Sequence, residues 1–236
     1  MSFVCLMYHE IASPYKHKFY VTPENFRMQM EYIVSNGYKI VNLNESLDGD
    51  VLITFDDGHK SNLDAARILA KLGISAVFYL VKDFSLNNKD YLNEEDIKEI
   101  SSLGHVIGAH GKYHDWWTTK SKDQLISELD ETARWIERIT GRKVITCSAP
   151  GGRIKDKEYQ TIKQSLPYFK YIRNSVCSFS SEKDKMIHSM PVTITTTMNE
   201  FKKIMDKDCF YYKKSLFIYN FKELAKNIIY KIKGIE

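Results

Sequence analysis

Two carboxylates stand side by side after an apolar run in Ile53-Thr54-Phe55-Asp56-Asp57-Gly58. Neighbouring residues at a strand end point in different directions. One Asp can therefore ligate a metal while the other faces a water. Alone, the stretch also reads as an Asp-Gly turn in which Asp57 caps the next helix. A second stretch, Gly108-Ala109-His110-Gly111-Lys112-Tyr113-His114-Asp115-Trp116-Trp117, again follows a short apolar run. His110 and His114 share one face at metal-ligand separation if the segment turns helically. Alone, they read equally as two partly exposed histidines. A third stretch runs from Val144 through Cys147, Ser148 and Ala149 to Pro150-Gly151-Gly152-Arg153. Its glycines let the backbone approach a ligand and aim an N–H at an oxyanion, although by itself it is an ordinary loop. Two carboxylates and two histidines at two adjacent strand ends are much harder to reach by accident. Asp57, His110 and His114 make an open divalent site of the catalytic type, with room for a carbonyl oxygen and an attacking water.

These residues need elements that bring them to one end of a fold. Strand-length apolar runs cover residues 3–8, 38–43, 51–55, 74–81, 105–109, 144–147, 171–176 and 190–194. Helical patterns alternate with them. Thr22-Pro23-Glu24 opens one with an N-cap and a first-turn Pro, and Gly37 closes it. Others cover residues 62–72, 93–104 and 121–140, each stopped by glycine. Such a succession predicts an α/β fold with a parallel sheet and crossover helices, and six or more units suggest a closed or nearly closed barrel. In parallel α/β folds the C-terminal strand ends carry the site.

The chain has 236 residues, 43% of them apolar, enough for a substantial core. With no linker or repeat, residues 1–236 read as one domain, and 200–236 as its C-terminal helical segment. A net charge of +4 gives no reason to expect nucleic acid. Cys5, Cys147, Cys177 and Cys209 lack paired spacing, so reduced, mostly buried thiols are expected. The N-terminus has no basic, apolar leader and no run reaches membrane-spanning length, which predicts a cytoplasmic protein. Residues 202–236 carry nine Lys against four acids. Leu216, Phe217, Tyr219, Phe221, Leu224, Ile228, Ile229 and Ile232 interleave with them. A helix packed on the barrel with a solvated Lys face is the favoured reading; weak peripheral contact with an anionic membrane is the other.

The sequence TFDDG, then HxxxH about fifty residues on, then a strand ending APGG, resembles the polysaccharide deacetylase family, the NodB-homology or carbohydrate esterase family 4 group. The resemblance covers roughly residues 1–195. The opening YHEI and the stretch VTPENFRMQMEYIVSNGYKIVNL look like the branch that deacetylates exopolysaccharide glucosamine. It implies a distorted, partly open (β/α) barrel and the removal of an N-acetyl group from an amino sugar in a glycan or glycan precursor. It also implies one divalent metal ion, zinc in the first place and otherwise nickel, cobalt or iron, held by Asp57, His110 and His114. Asp56 becomes the general base, and Pro150, Gly151 and Trp116 line the substrate and oxyanion position. The partner is an N-acetylated sugar or oligosaccharide.

The chain departs from the family pattern in places. Gly111 stands where Ser or Thr usually follows the first histidine. Ser148 stands where an Arg usually orients the base, with Arg153 nearby as a substitute. The late strand ending in Leu-His is missing, and His188 is the sole histidine after Arg153. Val4 to His9, however, is an apolar strand ending in histidine. The expectation is a circular permutation in which this strand comes first and His9 is the general acid. Two other readings stay open: an N-deformylase or other amidase acting on a nucleotide- or lipid-linked sugar, and a catalytically silent carbohydrate-binding relative.

Overall fold

The structure, a computed structural model, describes residues 2–12 and 18–232, with side chains placed through Ala225. The strands are β1 (Ser2–Tyr8), β2 (Glu10–Ile11), β3 (Tyr20–Val21), β4 (Val51–Phe55), β5 (Val77–Leu80), β6 (Val106–Ala109), β7 (Thr146–Ser148), β8 (Tyr171–Arg173), β9 (Ser180–Ser181) and β10 (Met190–Pro191). The helices are α1 (Pro23–Ser35), α2 (Asn62–Lys71), α3 (Lys82–Asn87), α4 (Glu94–Ser102), α5 (Lys122–Thr140), α6 (Asp156–Ser165), α7 (Met198–Met205) and α8 (Cys209–Ile232). One sheet runs β10-β1-β4-β5-β6-β7-β8, all parallel along that path, with β9 antiparallel on the start of β1. The sheet curls, and a parallel bridge from Arg173 to Ile187 spans the gap between β8 and the strand beside β1. This is the expected α/β, partly open barrel.

Strand alternation sorts the side chains into two cores. Val4, Leu6, Tyr8, Val51, Ile53, Phe55, Phe78 and Leu80 face the helices, and Phe3, Cys5, Leu52, Val77, Tyr79 and Val106 face the lumen. Both faces are buried, which is why these strands read as unbroken apolar runs. The lumen changes character along its length. The period of two carries Leu52 to Thr54 to Asp56, Val106 to Gly108 to His110, and Thr146 to Ser148. The polar members therefore gather at the C-terminal rim.

The helices are placed by their ends. Thr22 accepts from the Asn25 amide at 3.2 Å, with Pro23 in the first turn. Reciprocal capping boxes open α4 at Asn93 and α5 at Ser121, and Gly141 closes α5 at φ 68°. Residues 38–43 are not a strand. β5 pairs only Thr54 and Phe55 at the far end of β4, so this segment meets β4 at its first residue alone, through a single bridge from Ile40 to Val51. Its Val41 and Leu43 instead plug the lumen from below. Helices α3 and α6 were not legible in the sequence: α6 buries only Glu158, Thr161 and Ile162, too few for a stripe.

Candidate active site

Strand β1 lies between β10 and β4, in register so that Tyr8 stands opposite Phe55. The Asp56 amide donates to the Tyr8 carbonyl oxygen at 2.9 Å. His9 is thus the rim neighbour of Asp56, although they are far apart in sequence. The buried Asn62 amide donates to the His9 carbonyl oxygen at 2.6 Å and holds that corner of the chain. The His9 ring lies against Phe19, centroids 5.2 Å apart, and its charge reaches the Asp57 carboxyl. His188 is elsewhere: its Nδ1 lies 3.1 Å from the Asn174 side-chain oxygen.

Asp57, His110 and His114 converge, each offering one ligand atom, all within 4.8 Å of one another. The Nε2 atoms of His110 and His114 lie 3.3 Å and 3.1 Å from Asp57 Oδ1. The histidine segment does not turn as a helix. It is an irregular loop after β6, with Gly111 at φ 86° and His114 at φ 63°. Asp57 is also left-handed, at φ 69°. Two non-glycine residues held in that sparse region within one cluster mark strain kept for a purpose. Gly111, where the family has Ser or Thr, suits its positive φ.

A divalent cation fits this donor set. Asp57 Oδ1 is buried and has no hydrogen-bond partner, although two imidazole nitrogens face it. His110 Nδ1 lies 2.8 Å from the Ser148 carbonyl oxygen. An N–H donated there leaves Nε2 free as a ligand, the usual second-sphere arrangement. Burial pushes the Asp57 carboxyl up, yet the His110 and His114 imidazoles and the charge of His9 outweigh it and hold the carboxyl well below its usual range. Burial lowers His114, but the Asp57 partner raises it overall.

Arg173 is the residue that the sequence reading missed. It ends β8, fully buried, opposite Ser148 in the β7–β8 register. Its Nη2 donates to both carboxylate oxygens of Asp56, 2.5 Å to Oδ1, and to Ser148 Oγ at 2.7 Å. Its Nη1 donates to Ser189 Oγ at 2.8 Å, and its plane sits 5.1 Å from the Tyr79 ring centre. Burial works against the guanidinium charge, and Asp56 outweighs it, so its pKa is raised. The family's Arg, absent at Ser148, is replaced from the adjacent strand. The signal was an Arg closing the run Tyr171-Ile172-Arg173, on the lumen side by alternation.

Arg153 is not that substitute. It lies over the Trp116 ring at 4.6 Å, and its Nε is 3.2 Å from Glu223 Oε2 of α8. Pro150 and Gly151 form a tight turn after β7, Gly151 at φ 61°. A Cβ on Gly151 would come within 3.0 Å of the Trp116 indole nitrogen, and one on Gly111 within 3.7 Å of Pro150. The third stretch, the histidine loop and Trp116 therefore share one rim.

The sequence profile of the polysaccharide deacetylase family matches residues 44–168. The YxkH protein of Bacillus subtilis is 28% identical over 171 residues, 68% of this chain and 60% of that protein. The chain spans 60% or less of the length of the curated relatives it matches. Two solved structures share the fold. Deacetylase PplD of Streptococcus pyogenes, in complex with acetate, superposes with a TM-score of 0.78 at 18% identity, covering 87% of this chain and 98% of PplD. IcaB of Ammonifex degensii superposes with a TM-score of 0.72 at 19% identity, covering 87% of this chain and 96% of IcaB.

Proposed function

The chain belongs to the polysaccharide deacetylase family, and from that premise we propose that it is a metal-dependent hydrolase removing an N-acetyl group from an amino sugar in a surface glycan or its precursor. The observation that carries the reading is one rim holding an Asp–His–His donor set beside a second, arginine-tethered carboxylate. When bound, a divalent cation at Asp57, His110 and His114 polarises the amide carbonyl as a Lewis acid and makes water a stronger acid. Zinc suits two imidazoles and a carboxylate; nickel, cobalt and iron accept the same donors.

Asp56 takes the proton of the attacking water. Its Oδ2 lies 3.9 Å from His110 Nε2, so it faces the donor set. Arg173 positions it with two hydrogen bonds and keeps the carboxylate paired inside the lumen. The backbone N–H near Gly151 steadies the oxyanion, and Trp116 walls the substrate. His9, at the end of β1, gives a proton to the departing amine. Water adds to the carbonyl carbon, the C–N bond breaks, and acetate and a free amine leave.

Arg173 also bears on the silent-relative alternative, to which the departures at Gly111 and Ser148 lend weight, because a guanidinium reaches Asp56 from β8 instead. The test is mass spectrometry of N-acetylated oligosaccharides and of nucleotide- and lipid-linked N-acetyl and N-formyl sugars, before and after incubation with metal-loaded protein. Loss of one acetyl mass with acetate release is expected. Formate release from N-formyl sugars alone would favour the deformylase reading, and no acyl release from any of them would overturn hydrolysis.

A further inference from the structure

Helix α8 has two faces of opposite character. Toward the barrel it sets Tyr212, buried, whose hydroxyl donates to the Ile204 carbonyl oxygen at 3.1 Å and whose ring meets Phe179 edge-on at 5.6 Å. Two turns along Tyr219 packs on the core, and one turn beyond it Glu223 pairs with Arg153. These contacts fix the roll of the helix. Away from the barrel it presents Phe210 at 79% exposure, Phe217 at 71%, Phe221 at 65% and Leu224 at 59%. At 3.6 residues per turn these four fall within about 60° of one another. Lys213 and Lys214, both exposed, border the stripe on its two sides. The tail expectation is corrected accordingly: Phe217, Phe221 and Leu224 do not pack on the barrel, and the side chains of Ile228, Ile229 and Ile232 lie outside the described residues.

Single exposed apolar residues are ordinary, but three phenylalanines and a leucine in one stripe form a contiguous patch, which marks an interaction surface. Charge selects what covers it. Glu223 is the sole carboxylate from Cys209 to Ala225, and it turns inward to Arg153. Two copies meeting through this face would bring lysines against lysines. An anionic bilayer answers both features, taking aromatic side chains between headgroups and lysines against lipid charge. Among the described residues no helix is long and apolar enough to cross a membrane, so the contact is with the surface.

We propose that the outward face of α8 docks on an anionic bilayer, with Phe210, Phe217, Phe221 and Leu224 inserted and Lys213 and Lys214 paired with lipid headgroups. The docking goes beyond the hydrolytic reading and stands without it. Because the inward face holds Arg153, and Arg153 holds Trp116, a docked α8 sets the rim loop about one helix diameter, roughly 10 Å, from the lipid.

The test is co-sedimentation of the full chain with phosphatidylcholine vesicles, with and without phosphatidylglycerol. Binding to the anionic vesicles, weakened by salt, is expected. Phe217→Ser/Phe221→Ser should abolish it while the melting curve is kept, since both side chains are exposed. Lys213→Gln/Lys214→Gln should weaken it by roughly 25-fold, at about fivefold per lysine near an anionic surface. Wild-type protein that stays in the supernatant overturns the proposal, and so does a serine variant that binds as wild type. A dimer in solution that the serine variant dissociates, with no lipid binding, overturns it in favour of a second copy of the chain.

Discussion

Asp56 and Asp57 are adjacent and chemically identical, yet their surroundings divide them. Asp57 sits left-handed between two imidazoles, and Asp56 is forked by Arg173. Asp57→Asn should lose the metal and keep the barrel. Asp56→Asn should keep the metal and lose about two to four orders of magnitude in rate, the usual range for a general base. Elemental analysis alongside acetate release separates them; equal metal loss in both would mean that the two carboxylates share the ligand role. Arg173 acts through Asp56, so its variants should have a different signature. Arg173→Lys preserves a buried cation without the planar group whose Nη2 reaches Asp56 and Ser148 while its Nη1 is fixed by Ser189. It should lower kcat with KM and metal content nearly unchanged. Arg173→Met leaves a buried carboxylate unpaired and should cost about 3–5 kcal/mol of stability. A lysine variant with normal kcat would make Arg173 a structural partner only.

At the scale of the element, β1 places the proposed general acid. A strand that opens the chain is set in the middle of the sheet, and its last turn delivers His9 to the rim beside Asp56. Parallel pairing makes this possible, because neighbours in the sheet need not be neighbours in the chain. His9→Ala should bind metal normally and hydrolyse the amide slowly. The loss should be smallest for an activated ester whose leaving group needs no proton, measured as the ratio of the two rates. An equal loss on both substrates would remove His9 from the proton-donating role. His188, held at Asn174, should be replaceable by alanine with little effect on either rate.

The whole molecule carries a pH dependence apart from the rim. His105 is buried below the sheet, its Nδ1 accepting from the Ala76 amide at 3.2 Å and its Nε2 2.9 Å from the Ala66 carbonyl oxygen. Burial lowers its pKa, only partly offset by the Ala66 bond. The unfolded chain then binds the proton more readily. The stabilisation is fully present above the unfolded value of 6.5 and is lost as the pH falls toward the folded value. His188, lowered by burial, adds in the same direction. His114, raised, contributes the opposite slope, present below 6.5 and lost as the pH rises. Thermal melts of wild type and His105→Gln from about pH 7 to about pH 5 should show the wild type losing more stability on acidification. Parallel curves would show that His105 does not titrate against folding.

Local patterns sufficed for much of this protein. The apolar runs of β1, β4 and β5 and the capped helices α1, α4 and α5 were legible, because burial on both sheet faces and end-capping are written in neighbouring residues. The cluster of Asp57, His110 and His114 was legible too, since its members follow β4 and β6, and parallel topology brings those ends to one rim although β5 lies between them. The helical turn imagined for His110 to His114 was not realised, and the cluster forms through left-handed loop backbone instead. Three things waited for tertiary structure. Residues 38–43 have strand composition, but they meet β4 only at Val51, since β5 takes the same side of the strand from Thr54 onward. The partner of Asp56 lies 117 residues away, at a position set by the β7–β8 register, so no motif spacing contains it. The roll of α8 was likewise undecided, because a helix with tyrosines on one side and phenylalanines on the other is amphipathic both ways. Only the contacts of Tyr212 and Glu223 with the barrel determine which face is left for solvent.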